Sequence, residues 1–166
     1  MMRAEPIRSL SARDLHYELQ KLYAAYAECI DDGDLEQWPE FFTEACLYKI
    51  VPRENYDRNL PLAIWLSESK GMLKDRVVTI RQTSMYAPRY MRHLISGISA
   101  RDWQGDVLAV QANYLVLETL MNEFTRVFNA GRYIDQIVVE NDRLKFKQKL
   151  CVFDSVIVPN TLVFPI

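Results

Sequence analysis

Two histidines are the residues of this sequence that first suggest metal or acid–base chemistry. His16 and His93 are the only histidines among 166 residues, and no cysteine lies within a few positions of either. A Rieske [2Fe–2S] centre needs two cysteines and two histidines in closely spaced pairs, so the sequence excludes one. A mononuclear iron site with two histidines and one carboxylate requires both histidines to meet. One is predicted on a helix and the other on a strand, and nothing in the sequence supports their meeting.

A general base is the second kind of chemistry that these residues could perform. His93 could abstract a proton in a dehydratase or an isomerase. Its candidate neighbours are Asp31, Tyr48 and Tyr114. The simpler interpretation of His93 is a hydrogen-bonded strand residue near a subunit contact, and Asp31 is most simply a turn residue at a helix end. If Leu94 faces the core, side-chain alternation along a strand places His93 on the opposite, convex face.

Other reaction and binding classes lack their sequence signals. There is no G-x-S-x-G elbow and no glycine-rich phosphate loop. The widely spaced cysteines Cys29, Cys46 and Cys151 form no C-x-x-C pair, so we expect reduced, buried, small apolar residues. A net charge of −2 gives no reason to expect nucleic-acid binding. No apolar run approaches the roughly 18–20 residues that span a bilayer, and residues 1–10 lack the apolar core of a signal peptide. We therefore expect a cytoplasmic protein.

The first half of the chain is predicted to be helical and the second half to consist of strands, which indicates the α+β class. The clearest helix begins at Ser11, where Asp14 completes a capping box. Its apolar residues recur at spacings of three and four: Leu15, Leu19, Leu22, Tyr23, Tyr26 and Ile30. Asp31-Asp32-Gly33 ends it. A short second helix is predicted from Asp34, and a third from Ser69 to Thr83.

Strands are predicted at residues 45–51, 89–100, 106–121, 123–139 and 142–158. Short connections between the last four predict antiparallel hairpins. Apolar residues change face along the strands 106–121 and 142–158, which indicates a strongly curved sheet, and Gly131 could form a bulge at the bend. The expected fold is one domain, residues 1–166, in which about three N-terminal helices pack on a mostly antiparallel sheet as a cone-shaped roll. This architecture resembles the nuclear-transport-factor-2-like superfamily.

Charged residues on the last two strands have simple structural interpretations. Arg132 and Asp135 are predicted to form a charge pair around Gly131, with a salt bridge between subunits as the alternative. Three lysines alternate with apolar residues and predict a solvated strand face, or one that meets an acidic patch of a partner: Lys145, Lys147 and Lys149.

The C-terminal segment, Ser155 to Ile166, is unusually apolar. It contains no charged side chain, and seven of its twelve residues are apolar. Such a segment must be buried, either on its own domain or at an interface. Pro159 and Pro165 prevent it from pairing as an ordinary central strand. We predict that it packs at a subunit junction, so that a chain ending at Asp154 would fail to assemble normally.

Three blocks of sequence carry a family resemblance and cover about two-thirds of the chain. They are YAECIDDGDLEQWPEFFTEACLYKIVPRENYD (26–57), MLKDRVVTIRQT followed by PRYMRHLISG (72–97), and FNAGRYIDQIVVENDRLKFKQKLCVFDS (128–155). In this order they resemble the small β subunits of bacterial aromatic-ring-hydroxylating dioxygenases. The first block is most similar to the branch whose substrates are aromatic carboxylates such as salicylate or terephthalate. Gly97 departs from the family pattern, in which many members carry asparagine.

The resemblance implies a structural subunit of an oxidoreductase rather than its catalytic one. Such subunits assemble with a large α subunit, typically three of each, and the α subunit holds a Rieske [2Fe–2S] cluster and a mononuclear iron. A reductase, sometimes with a ferredoxin, supplies electrons from NAD(P)H. The resemblance therefore implies no catalytic, cofactor-binding or metal-binding residue in this chain. The alternative is a stand-alone dehydratase or isomerase that uses the interior of the cone.

Overall fold

The computed structural model describes residues 7–155 and 162–166. Its α-helices are α1 (Ala12–Asp31), α2 (Arg53–Asp57) and α3 (Lys70–Gln82), and 3-10 turns cover Ile7–Ser9 and Trp38–Phe41. Its strands are β1 (Phe42–Pro52), β2 (Trp65–Ser67), β3 (Arg89–Gln104), β4 (Val107–Leu120), β5 (Arg126–Glu140) and β6 (Arg143–Phe153). No helix in this part of the chain is long and apolar enough to cross a membrane.

The strands form one curved sheet in the order β2-β1-β6-β5-β4-β3. β3 to β6 form an antiparallel meander, as predicted. β1 joins the far side of β6 in parallel, and β2 pairs antiparallel with β1. The helices pack on this sheet, so the predicted α+β cone is confirmed.

Helix α1 forms because a capping residue and an apolar stripe both favour a helix over the same residues. The Ser11 hydroxyl oxygen accepts a hydrogen bond from the backbone N–H of Asp14 at 3.2 Å, which satisfies one unpaired donor of the first turn. The stripe buries Leu19, Tyr23, Tyr26, Ala27 and Ile30 against the sheet. Gly33, with φ of +77°, turns the chain away from the helix as expected.

The connecting segments differ from the sequence predictions in three places. The predicted second helix is only the 3-10 turn Trp38–Phe41, because Pro39 lies at its start and β1 already begins at Phe42. The polar sequence of residues 53–60 predicts a loop, but this segment contains the short helix α2. The sequence of residues 61–67 is compatible with a short strand or a helical turn, and the structure forms the edge strand β2 there.

Gly131 is required by close packing rather than by a bulge. It pairs regularly with Tyr114 on β4 and with Phe153 on β6. A Cβ atom at this position would clash with the carbonyl oxygen of Val152 and lie 2.8 Å from the Cα of Phe153. The register shifts of β5 and β6 lie elsewhere, at Phe128 and Lys147, so the predicted Gly131 bulge is wrong.

Candidate functional site

Strand β3 places His93 against the C-terminal end of α1, where it meets Asp31. The ring Nδ1 lies 2.6 Å from Oδ1 of Asp31, and the backbone N–H of His93 also donates to this carboxylate. The imidazole is fully buried and the Asp31 side chain nearly so. Leu94, by contrast, is 47% exposed, so Leu94 and not His93 lies on the convex face. The sequence placed these two residues on the wrong faces but named the correct neighbour, Asp31.

His93 and His16 line the same groove between α1 and β3, which has a volume of about 740 Å³. Within residues 7–155 and 162–166, no group of three or more His, Cys, Asp or Glu side chains could hold a metal ion. Tyr48 and Tyr114, the other candidate neighbours of His93, bond to other groups. The hydroxyl of Tyr48 donates to the carbonyl of Ile166, and that of Tyr114 to Oδ1 of Asn129. The groove therefore contains a His–Asp dyad without the predicted tyrosines.

A buried ion pair occupies the interior of the cone. Nζ of Lys149 lies 3.0 Å from Oδ2 of Asp135, and both side chains are fully buried. The hydroxyl of Tyr23 donates to the same oxygen at 2.5 Å. The predicted pair of Arg132 and Asp135 is wrong, because residues three apart on a strand point to opposite faces. Burying a charge is costly unless a partner compensates it, so this cluster must stay intact for the core to stay stable.

The Lys147 bulge explains why Lys149 is buried. Gln148 pairs with Gln136, but Phe146 pairs with Ile137, so Lys147 is an extra residue in β6. Before the bulge the side chains of Leu144 and Phe146 point into the core, and after it the side chain of Lys149 does. The predicted solvated lysine face is wrong for Lys149, while Lys147 is exposed.

Aromatic rings surround the buried ammonium group. Nζ of Lys149 lies 3.4 Å from the ring centroid of Tyr133 and 4.5 to 4.9 Å from the centroids of three further rings. Those rings belong to Phe146, Tyr26 and Tyr23. Burial raises the pKa of Asp135 above its usual value, and Lys149 opposes that rise. Burial, followed by the charge of Asp135, raises the pKa of the Tyr23 hydroxyl, which keeps it a hydrogen-bond donor.

The Tyr23 hydroxyl is expected to contribute measurable stability through Asp135. Oδ2 of Asp135 accepts hydrogen bonds from both the Tyr23 hydroxyl and the Lys149 ammonium group, so the loss of the hydroxyl weakens the compensation of a fully buried carboxylate. Tyr23→Phe should lower the free energy of unfolding by about 1–3 kcal/mol, the cost of leaving a buried polar group less satisfied. Urea denaturation followed by circular dichroism measures this change. Tyr17→Phe, on the same helix but 60% exposed, is the matched control; an equal effect of both changes would contradict the role of the hydrogen bond.

The cysteines are free thiols, as predicted. Cys46 and Cys151 are buried, whereas Cys29 is only half-buried, so its expected burial is only partly confirmed. Burial raises the pKa of Cys151 to about 12 and that of Cys29 to about 11. Both thiols therefore stay protonated near neutral pH and are poor nucleophiles.

The end of the apolar C-terminal segment packs on its own domain. The carbonyl of Ile166 accepts hydrogen bonds from the hydroxyls of Tyr26 at 3.0 Å and Tyr48 at 3.1 Å, and its side chain is fully buried. Residues 156–161 lie outside the described residues. For residues 162–166 the structure favours burial on the domain itself, which was one of the two possibilities, and a role of the segment at a subunit junction stays a prediction.

An apolar surface lies where β3, β4 and β5 meet at one end of the sheet. We call it the outer patch and define it by its exposed members, whose relative exposures are 70% for Tyr90, 68% for Met121, 97% for Phe124 and 62% for Val127. Beneath it, the fully buried carboxylate of Glu118 bonds to Arg89 and Arg126. These charged hydrogen bonds hold the three strand ends together. This patch was not predicted from the sequence, although the apolar residues Met121 and Phe124 lie at a turn, where polar residues are usual.

Residues 25–160 match the model of the protein family named Ring hydroxylating beta subunit. The chain is 37% identical over 150 residues to the anthranilate 1,2-dioxygenase small subunit of Burkholderia cepacia, covering 90% of this chain and 93% of that protein. It is 29% identical to a β subunit of the terminal oxygenase component of terephthalate 1,2-dioxygenase from Comamonas sp., with 86% and 93% covered.

A solved structure shows the same relationship. The β subunit of a proposed aromatic-ring-hydroxylating dioxygenase from Novosphingobium aromaticivorans DSM 12444 is 36% identical and superposes with a TM-score of 0.83. The match covers 92% of this chain and 97% of that one. Family model, sequence identity and fold agree over nearly the whole length, and the chain belongs to the family of ring-hydroxylating dioxygenase β subunits.

Proposed function

We propose that residues 1–166 act as one structural, non-catalytic domain, the small subunit of a cytoplasmic oxygenase that hydroxylates an aromatic carboxylate. Its partner is a large α subunit that carries a Rieske [2Fe–2S] cluster and a mononuclear iron, in a hexamer of three α and three β subunits. A reductase, with or without a ferredoxin, supplies electrons from NAD(P)H. The chain itself contributes no catalytic, cofactor-binding or metal-binding residue.

The residues of this chain do not fit either iron group. A Rieske cluster takes two cysteines and two histidines in paired motifs, and the groove that contains both histidines has no cysteine in its lining. The Nδ1 atom of His93 is already bonded to Asp31, which leaves one ring nitrogen for any other partner. We therefore place the iron chemistry in the partner subunit.

The outer patch is the observation that carries the proposal of assembly. A stable monomer rarely leaves several large apolar side chains exposed side by side. Phe124 is almost completely exposed, and the strand ends below it are fixed by Glu118. A rigid apolar surface of this kind suits permanent burial against another subunit. In this proposal the small subunit holds the large subunits in register, so that electrons can cross between them.

The class of substrate rests on the relatives. Anthranilate and terephthalate, which appear in the names of two relatives, are both aromatic carboxylates. The alternative function, a stand-alone dehydratase or isomerase, would rest on the dyad of His93 and Asp31. Turnover by the isolated chain would distinguish it from the structural role.

Light scattering tests the proposal directly. The chain is purified alone and after co-expression with the large oxygenase subunit encoded beside it, and the mass and the iron content of each sample are measured. We expect a complex of about six chains with iron in the large subunit only. If the small chain does not bind the large subunit, the proposal is overturned. The isolated chain would then be assayed for lyase or isomerase activity in its groove.

Replacing Phe124 with aspartate is expected to weaken assembly. A charge at the centre of an apolar contact loses the buried area and leaves an uncompensated carboxylate, and central aromatic residues often dominate binding energy. The change should weaken the complex at least roughly tenfold, measured by light scattering over a dilution series. Tyr17→Asp, an exposed aromatic residue on α1, is the control. Equal weakening by both changes would show that the outer patch is not the contact.

A further inference from the structure

His93 has one ring nitrogen that the fold leaves without a partner. Nδ1 lies 2.6 Å from Oδ1 of Asp31, and in the neutral ring the tautomer that suits this contact has the proton on Nδ1, which donates a hydrogen bond to the carboxylate. Nε2 then carries the lone pair and can only accept a hydrogen bond. This atom is buried and has no hydrogen-bond partner within residues 7–155 and 162–166. A buried polar atom without a partner costs about 1–3 kcal/mol, so a molecule that supplies one gains that free energy on binding.

The groove beside His93 can accommodate such a molecule. Its volume of about 740 Å³ lies within the range of small-molecule sites, roughly 300–1,000 Å³. Its apolar lining includes Ala24, Ala27, Ile95 and Ile98. This combination of an apolar wall and one buried acceptor suits an apolar body that carries a single donor.

The charge around the groove selects a neutral donor over an anion. Glu28, Asp31 and Asp32 lie at the C-terminal end of α1 and line the groove. The helix dipole places negative partial charge at that same end. Arg92 is the opposing cation, but its side chain is 69% exposed and lies 3.9 Å from Asp31. A carboxylate at Nε2 would therefore meet an acidic surface, whereas an O–H group would not.

We propose that the groove between α1 and β3 binds a small ring compound that carries a hydroxyl group, whose O–H donates a hydrogen bond to Nε2 of His93. Asp31 is the positioning residue, because it fixes the tautomer and the orientation of the ring. The exposed side chains of Gln20 and Arg92 border the groove. The site needs no iron and is separate from the proposed role in assembly.

Phenol and anisole are the probes that test this site, because anisole has a methyl group in place of the hydroxyl hydrogen and cannot donate a hydrogen bond. Calorimetry on the full chain, alone and in complex with the large subunit, should show that phenol binds and that anisole binds roughly tenfold more weakly. In a sample with ¹⁵N-labelled histidine, phenol should shift the Nε2 resonance of His93 and leave that of His16 nearly unchanged. Equal binding of phenol and anisole, or no binding of phenol to either sample, would overturn the proposal. Tighter binding of benzoate than of phenol would also overturn it, because it would show an anion site.

A pair of alanines on α1 provides matched variants that leave the dyad intact. Ala24 lines the groove and Ala25, its exposed neighbour, does not. Ala24→Leu should fill the groove and reduce phenol affinity at least tenfold, whereas Ala25→Leu should leave it unchanged. Both alanines are exposed, so neither change should prevent folding. Unchanged phenol affinity in Ala24→Leu would place the binding elsewhere and contradict the proposal.

Discussion

Replacing Lys149 with methionine is expected to lower the free energy of unfolding by about 3–5 kcal/mol, the cost of breaking a buried ion pair from one side. Methionine fills a similar volume but leaves the carboxylate of Asp135 without its cation in a fully buried site. Urea denaturation of the full chain measures the loss. Lys147→Met is the matched control, since Lys147 lies two residues away on the same strand and is exposed. A loss of similar size in both variants would contradict the role of the buried pair.

The effect of Lys149→Met should also depend on pH. Burial raises the folded-state pKa of Asp135 above its unfolded value. A raised carboxyl pKa means that the folded state takes up the proton at a higher pH than the unfolded state does. In the Lys149→Met variant, proton uptake by the Asp135 carboxylate removes the negative charge that has lost its cation. The difference in free energy of unfolding between variant and parent should therefore shrink as the pH falls from 8 towards 5. Parallel stability curves over that range would show that the Asp135 charge is not the cause of the loss.

Replacing Gly131 with alanine is expected to be the second most damaging change, with a loss of about 3 kcal/mol or more, at the upper end for overpacking. The added Cβ would clash with the backbone of Val152 and Phe153, and backbone cannot move aside as a flexible side chain can. The hairpin of β5 and β6 would have to separate where Gly131 pairs with Phe153, four positions along β5 from the pair of Asp135 and Lys149.

Gly71→Ala is the control for Gly131→Ala. Gly71 lies in the first turn of α3, and its nearest potential contact to an added Cβ is 3.6 Å away. Alanine favours a helix over glycine by up to about 1 kcal/mol, so this variant should be neutral or slightly more stable. Thermal unfolding of the two variants measures the contrast. A Gly131→Ala protein as stable as its parent would show that β5 and β6 can separate at no cost.

Elements whose signals are local could be predicted from the sequence. The cap at Ser11 and the apolar stripe of α1 act within one helix, and the short turns of the meander act between neighbouring strands. The burial of the Lys149 side chain could not be predicted, because it depends on the register in which β6 pairs with β5. The sequence showed that the buried face of this strand changes over, but only the register identifies Lys147 as the extra residue. One residue of shift moves a lysine from solvent to core.

The candidate site could be predicted in its composition but not in its orientation. The sequence placed Asp31 among the possible neighbours of His93, and the structure brings the two together. The face of His93 was wrong because it depended on the assumption that the apolar Leu94 is buried. An apolar side chain on a strand is also compatible with a surface that another subunit covers, and 47% exposure of Leu94 fits that case.

Because β1 pairs in parallel with β6, β1 lacks this neighbouring strand for part of the time during synthesis. Phe42 of β1 pairs with Phe146 of β6, which is made 104 positions later. At a synthesis rate of about 5–20 residues per second, β1 waits roughly 5–20 s for this neighbour. Throughout that interval its apolar residues lack the strand that covers them, and nascent chains in this state are prone to aggregate. Slower translation would lengthen that exposure, so the yield of folded protein should depend on how quickly the ribosome traverses the stretch from α2 to β5.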